Sequence, residues 1–375
     1  MYKGYKYIDS DGHVLEPRDM WERYLDPEFR DEMPSHYARY EGEDVTFHLE
    51  VRVGEYTLPN FPTGRGVPVE GLPEAYGAYA SDGFTPANYK TMLDKSGIDY
   101  MIVYPTVGLF NNGVPGLKPA AAAAYRRAYN DWLHDFCSEG DGRILGAGAI
   151  DLRDPKEAAK EARRCIKDLG MKAITLNPEP VNDLPMHDEF FDPIWAEIQD
   201  LDVGLGIHVG AGTANGQVGS NYFPGWGIGR SASAFTVGNM LASVSFVAGG
   251  ILERFPKLRI VHLESGAGWV PFWMDRLEAG VAGASRRTGY LRLPLTPKEY
   301  FERQCFVSAD PDDPGIKLIV DYMGDRSIVT ATDFGHPEGR GYVRAIEDTI
   351  ALEDVSDEIK RRVMWDNAAR LYNIA

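Results

Sequence analysis

The chain has 375 residues, 44% of them hydrophobic, and 39 basic against 56 acidic residues give it a net charge of −17. That length supports a large core, and an α/β barrel of this size can be one domain. The acidic balance disfavours partners such as DNA, RNA or anionic lipid surfaces, although a small anionic substrate stays open because a metal can reverse the local sign.

Strand-like runs recur at 5–11, 98–105, 143–150, 171–177, 202–209, 258–264, 305–309 and 327–333. Most are nearly continuous apolar stretches, the pattern of parallel strands buried on both faces. Helical segments are expected between them, at 86–96, 119–139, 154–168, 188–200, 233–254, 266–280, 312–323 and 356–371. The one at 154–168 opens on Asp154-Pro155, an N-cap followed by proline in the first turn. Eight alternations predict an α/β fold closed into a (β/α)8 TIM barrel, one domain over 1–375. Residues 14–85 break the rhythm. They read as an insertion after strand 1 on the catalytic rim, with a small β-hairpin at 43–58, serving as a lid or an oligomer contact. A second long loop, 210–231, holds seven glycines with Phe223, Trp226 and Arg230 and lacks a phosphate-cradle pattern. It is expected to frame the pocket, with Trp226 and Arg230 against substrate.

The three cysteines, Cys137, Cys165 and Cys305, form no CxxC pair. They fit a reduced, cytoplasmic setting. The first residues lack the apolar core of a signal peptide, and no run approaches the roughly 20 apolar residues of a membrane span, so no membrane association is expected.

Acids and histidines stand at the ends of four of these strands. The first ends in Asp9-Ser10-Asp11-Gly12-His13, another in His208, the next in His262-Leu263-Glu264, and the last in Asp333-Phe334-Gly335-His336. A barrel gathers its strand ends on one rim. Strand alternation predicts that Asp9, Asp11 and His13 share one face, and His262 and Glu264 another. Asp11, His13, His208 and Asp333 then supply two nitrogens and two carboxylates, a set suited to Zn2+, Mn2+ or Fe2+ rather than Mg2+ or Ca2+. His262 is the expected general acid/base. His336 is open to substrate binding, or to a second metal with Glu264 or Asp9. His36, His48, His134 and His187 read as surface residues.

The opening Asp-Ser-Asp-Gly-His-Val-Leu-Glu-Pro, Gly-Ile-His-Val-Gly, the run from Ile260 to Leu277 and Ala-Thr-Asp-Phe-Gly-His-Pro-Glu-Gly resemble the amidohydrolase-related (amidohydrolase 2) family. The resemblance points to its aminocarboxymuconate semialdehyde decarboxylase and γ-resorcylate decarboxylase branch. It implies one catalytic divalent metal, ligands at Asp11, His13, His208 and Asp333, and a catalytic histidine at His262. The family's opening motif is usually His-x-His or Glu-x-His, so Asp11 is a departure. The implied activity is metal-dependent decarboxylation or hydrolysis of a C–C or C–N bond in a small carboxylate-bearing substrate. In the hydrolytic form His262 and Asp333 would handle protons. Two alternatives stay open: a dinuclear iron or iron–manganese monooxygenase, and an inactive partner subunit of a hetero-oligomer. Rim insertions and exposed aromatics favour a homo-oligomer, a dimer or larger.

Overall fold

In the computed structural model, residues 2–32, 34–53, 56–57, 70–114, 116–210, 223, 227–287 and 293–375 are described. Eight parallel strands form one sheet in chain order. They are β1 (Ile8–His13), β5 (Tyr100–Tyr104), β6 (Ile144–Ala149), β7 (Ala173–Leu176), β8 (Gly204–Ile207), β9 (Arg259–His262), β10 (Cys305–Ala309) and β11 (Ile328–Thr330). Each falls within, or within two residues of, its expected run. The strands are apolar throughout because both faces are covered. Inward, Ile8, Ile102, Ala147, Val261, Phe306 and Val329 fill the barrel. Outward, Met101, Ile174, Ile207, Ile260, Val307 and Ile328 join the layer shared with the helices. The terminal helix Asn367–Tyr372 plugs the lower mouth, with Leu371 packed over Gly204 at the start of β8.

The helices follow the expected order with differences at their ends. Asp154 caps Pro155–Lys167 by accepting from the Lys156 and Glu157 N–H groups. The segment expected as one helix over 233–254 is broken. It runs Gly227–Ser243, widens into a π turn at Val244–Ala248, and restarts at Ile251–Arg254 after Gly250 at φ 87°. Pro297–Gln304, which opens on a Thr296/Glu299 capping box, and Ala345–Ala351 are further helices. Among the described residues no helix is long and apolar enough to cross a membrane.

Between β1 and β5 lies a three-stranded antiparallel sheet, β2 (Ser35–Glu41), β3 (Thr46–Val53) and β4 (Tyr56–Thr57). The hairpin expected at 43–58 therefore starts earlier, and its turn sits at Gly42–Val45. A helix, Leu72–Ala80, also precedes the first one expected. Two tyrosines of this segment reach the loop after β11: Tyr40 Oη donates to Gly335 O at 2.7 Å and Tyr76 Oη to His336 O at 2.9 Å.

The seam between β1 and β11 has its own chemistry. Asp333 N–H donates to Asp11 O at 2.9 Å and His13 N–H to Phe334 O at 2.7 Å. Thr332 gives both its N–H, at 2.9 Å, and its hydroxyl to the Asp9 carboxylate. Gly335 has φ 107°, and a Cβ there would lie 2.5 Å from His13 O. Only glycine lets the two strand ends approach this closely.

Candidate metal centre

A bulge in β1 decides which of its acids reaches the lumen. Asp9 pairs with Met101, an outward residue, whereas His13 pairs with the inward Tyr104, and the register shifts between Asp9 and Gly12. One extra residue reverses the alternation. The expectation that Asp9 and Asp11 share a face is thereby corrected. Asp11 and His13 face the site, and Asp9 is left behind, bound to Thr332 and to Asp11 N–H at 3.3 Å. Burial pushes Asp9 up to about 7 despite these bonds.

The histidine tautomers follow from their outer partners. His13 Nδ1 lies 3.0 Å from Pro105 O, and His208 Nδ1 lies 2.8 Å from Val209 O. A carbonyl only accepts, so both Nδ1 atoms carry the proton and both Nε2 atoms point lone pairs inward. Those Nε2 atoms are 3.1 Å apart. Asp11 Oδ1 lies 3.5 Å from His13 Nε2 and 3.4 Å from His208 Nε2, and Asp333 Oδ1 lies 3.3 Å from His13 Nε2. Both carboxylate oxygens are buried and accept no hydrogen bond. Converging lone pairs and orphaned anionic oxygens repel one another unless positive charge sits among them. A divalent cation satisfies this set, and mixed imidazole and carboxylate donors suit first-row metals. The titration of the groups reflects the same lack of compensation. Burial opposes charge on His208, yet Asp11 and Glu264 override it and carry His208 up to about 9, so that without a cation a proton on Nε2 takes its place, and with one bound Nε2 is a bare donor. Burial, with His336 and His208 alongside, holds His13 well below the usual imidazole range. Burial, with Glu338 and Asp11 nearby, pushes Asp333 well above the carboxylate range.

Glu264 lies two residues past β9 at φ 48°. This left-handed turn brings Oε2 to 3.7 Å from His208 Nε2. Glu264 lines a cavity of 720 Å³ with Asp11, Asp310, Asp333, Glu338 and Arg340 among its walls. Burial and the neighbouring Asp333 raise its pKa well above the ordinary value. His336 stacks on the His13 ring, centroids 3.8 Å apart, and its Nδ1 lies 3.0 Å from Asp333 Oδ1.

His262 is not brought to this cluster. Its strand neighbours Ile207 and Val307 belong to the outward layer, whereas Val261 faces inward with Phe306. The ring stacks on Phe301 and meets Trp269 edge-on, both helical residues, and its Nδ1 bonds Asn239 Oδ1 at 2.9 Å. The expected shared face of His262 and Glu264 fails because the strand ends at His262. Burial lowers His262 to about 3. An imidazole kept neutral in the fold adds stability above its unfolded pKa near 6.5, and loses it as pH falls toward 3. The contribution is at most about 5 kcal/mol. His262→Gln is therefore expected to flatten the fall of Tm between pH 6.5 and 3, and an unchanged slope would count against this burial.

Glu16 was not singled out in the sequence. Its buried carboxylate accepts from the Thr106, Val107 and Gly108 N–H groups at 3.0–3.3 Å. It thereby pins the loop whose Pro105 O orients His13. The adjoining Leu-Glu-Pro was the only available signal. Asn239, on a helix, gave none. Trp226 lies outside the described residues. Arg230 falls in the helix Gly227–Ser243, and its side chain is likewise outside the description.

A model of the family described as amidohydrolase matches residues 8–374. The chain belongs to the amidohydrolase family. Among its relatives, the 2-amino-3-carboxymuconate-6-semialdehyde decarboxylase of Dictyostelium discoideum is 26% identical over 276 residues, covering 74% of this chain and 73% of that protein. The γ-resorcylate decarboxylase of Rhizobium sp. (strain MTP-10005) is 28% identical over 297 residues, 75% of this chain and 78% of that one. A 5-carboxyvanillate decarboxylase structure from Novosphingobium aromaticivorans, with bound manganese and 3-methoxy-4-hydroxy-5-nitrobenzoic acid, is 22% identical with a TM-score of 0.66. It covers 100% of this chain and 98% of its own. The resemblance read from the motifs and the eight-stranded barrel of this amidohydrolase agree with these findings.

Proposed function

We propose that this amidohydrolase is a divalent-metal-dependent decarboxylase of a small aromatic or ring-derived carboxylic acid. The observation that carries the reading is the meeting of two bare imidazole lone pairs, His13 Nε2 and His208 Nε2, with the unpartnered Asp11 and Asp333 oxygens at the mouth of an open cavity. The decarboxylases among the relatives support it. Asp11, His13, His208 and Asp333 would hold the cation, which we take as Mn2+ because solved relatives contain manganese, with Zn2+ or Fe2+ as alternatives on the same donors. When bound, it would supply a Lewis acid that orients the acid group and stabilises negative charge on a neighbouring oxygen, leaving the ring electron-rich enough to be protonated.

The protein's own groups do the rest. Glu264 Oε2 delivers a proton to the ring carbon that bears the carboxylate. The bond to the carboxyl carbon then breaks, its electron pair returns to the ring, and CO2 leaves. Glu264 is reprotonated from the solvent-connected cavity. Asp310 and Glu338 on the walls repel further anionic groups, and Arg340 is the only cation among the described lining residues. This favours acids with a single carboxylate. Residues 14–85, through Tyr40 and Tyr76, would act as a rim insertion that steadies the loop after β11.

The test is CO2 release from hydroxylated aromatic monocarboxylates by Mn2+-loaded protein, with and without a chelator. Chelator-sensitive release supports the reading. Chelator-sensitive cleavage of amides or lactones with no CO2 from any acid would replace it with hydrolysis.

A further inference from the structure

Hydroxyl protons map the wall of the cavity beside the metal centre. Among the described residues its hydroxyls are those of Thr236, Ser265, Ser308, Thr332 and Tyr342. Three of them have spent their protons. Thr236 donates to Ser265 O at 3.0 Å, and Thr332 donates to the Asp9 carboxylate. Tyr342 gives its proton to Tyr79 Oη at 3.0 Å, or takes that of Tyr79 and gives its own to Ala75 O at 3.5 Å. Ser265 and Ser308 differ. Ser265 Oγ accepts from Trp269 Nε1–H and Ser308 Oγ from the Glu264 N–H, each at 3.2 Å. Neither serine has an acceptor for its own proton among the described residues, although they are only 6% and 4% exposed. Donors buried to this degree are seldom left unpaired.

The fold gives the two protons one target. Ser308 points into the lumen, two residues beyond the inward Phe306 and paired with the inward Val329. Its bond to the Glu264 N–H seats it against the turn whose next residue is Ser265. The two hydroxyls thus reach the cavity from the ends of adjoining strands, on either side of the proton carrier. We propose that Ser265 and Ser308 form a donor pair that binds an uncharged oxygen on the substrate ring, apart from the acid group and the neighbouring oxygen at the cation. An anionic oxygen is disfavoured there, because Asp310 and Glu338 stand on the same walls. A site built to pair with an oxygen rejects the analogue that lacks it. The inference rests on the reading of this cavity as the substrate site and adds a substituent that the substrate carries.

The test uses the Mn2+-loaded full chain with salicylate and the dihydroxybenzoates, which add one hydroxyl at each remaining ring position in turn. Dissociation constants are measured by calorimetry. At least one dihydroxybenzoate is expected to bind about 10-fold tighter than salicylate, the scale of one well-made hydrogen bond. Ser265→Ala and Ser308→Ala are each expected to shrink that ratio to about 3-fold or less, and the double variant to abolish it. Ser308→Thr keeps the hydroxyl and should preserve the ratio. A general loosening of the site would weaken both ligands alike and leave the ratio in place, and Ser265→Ala reads the same point if Ser308→Ala does not fold. No preference in the wild type, or one that survives in the double variant, would overturn the donor pair. CO2 release from the same acids separates this inference from the reaction. A serine-dependent preference without CO2 release from any acid would keep the subsite and remove decarboxylation, and release with a serine-independent preference would do the reverse. No binding of any of these acids would remove the subsite and the ring-acid reading together.

Discussion

Replacing His208 with alanine is expected to strip the protein of its cation and to lower turnover by at least about 10³-fold, on the scale by which a bound metal ion stabilises developing charge. His208 Nε2 lies 3.1 Å from His13 Nε2, 3.4 Å from Asp11 Oδ1 and 3.7 Å from Glu264 Oε2. Its backbone sits just past β8, where Val209 O fixes the ring from behind. Truncation removes one donor and leaves Asp11 Oδ1 buried without compensation. The wild type should gain stability from Mn2+ by mass action, about 2.7 kcal/mol at a hundred times Kd, whereas the variant should gain almost none. Metal analysis together with a thermal shift checks this. Full metal content and normal rate in His208→Ala would refute the assignment of the centre.

The second large effect concerns proton delivery. Glu264→Gln preserves size and removes the proton carrier, so kcat is expected to fall 10²- to 10⁴-fold, the range for loss of a general acid, while bound metal stays near the wild-type level. The comparison variant is His262→Asn, for which kcat is expected to stay close to wild type and thermal stability to drop. Buried behind β9 against Phe301 and Trp269, His262 is not among the described residues that line the cavity. Steady-state kinetics and metal content on both variants decide the matter. The reverse pattern would return the acid/base role to His262.

Much of the barrel was legible because strands covered on both faces are written as apolar runs, and residues such as Met101-Ile102-Val103-Tyr104 leave little else to read. The ligand positions were legible too, since chemistry-bearing residues at strand ends meet on one rim. What failed was strict alternation. It holds only while a strand stays regular. The bulge before Gly12 turned Asp9 away, and the end of β9 at His262 let Glu264 swing in by a left-handed turn. No residue type marks either event in advance, because Asp and Glu adopt such conformations without a glycine to announce them. The hairpin was placed late because its turn uses Val45 at φ 48° rather than an Asn-Gly pair. The helix Leu72–Ala80 carries two tyrosines and a glycine, which weakens its local signal.

The seam between β1 and β11 bears on how the chain assembles in time. Asp9 and Thr332, its clasp, are 323 residues apart, and Asp11, His13 and Asp333 flank the same joint. Contacts of such sequence separation form late, after the loops between them have been ordered. A nascent chain, made from its N-terminus, has Asp11, His13 and His208 before Asp333 arrives to finish the set. Capture of the cation should coincide with the slowest folding phase, and the ion then acts as a latch whose removal first loosens the oldest and youngest strands from each other.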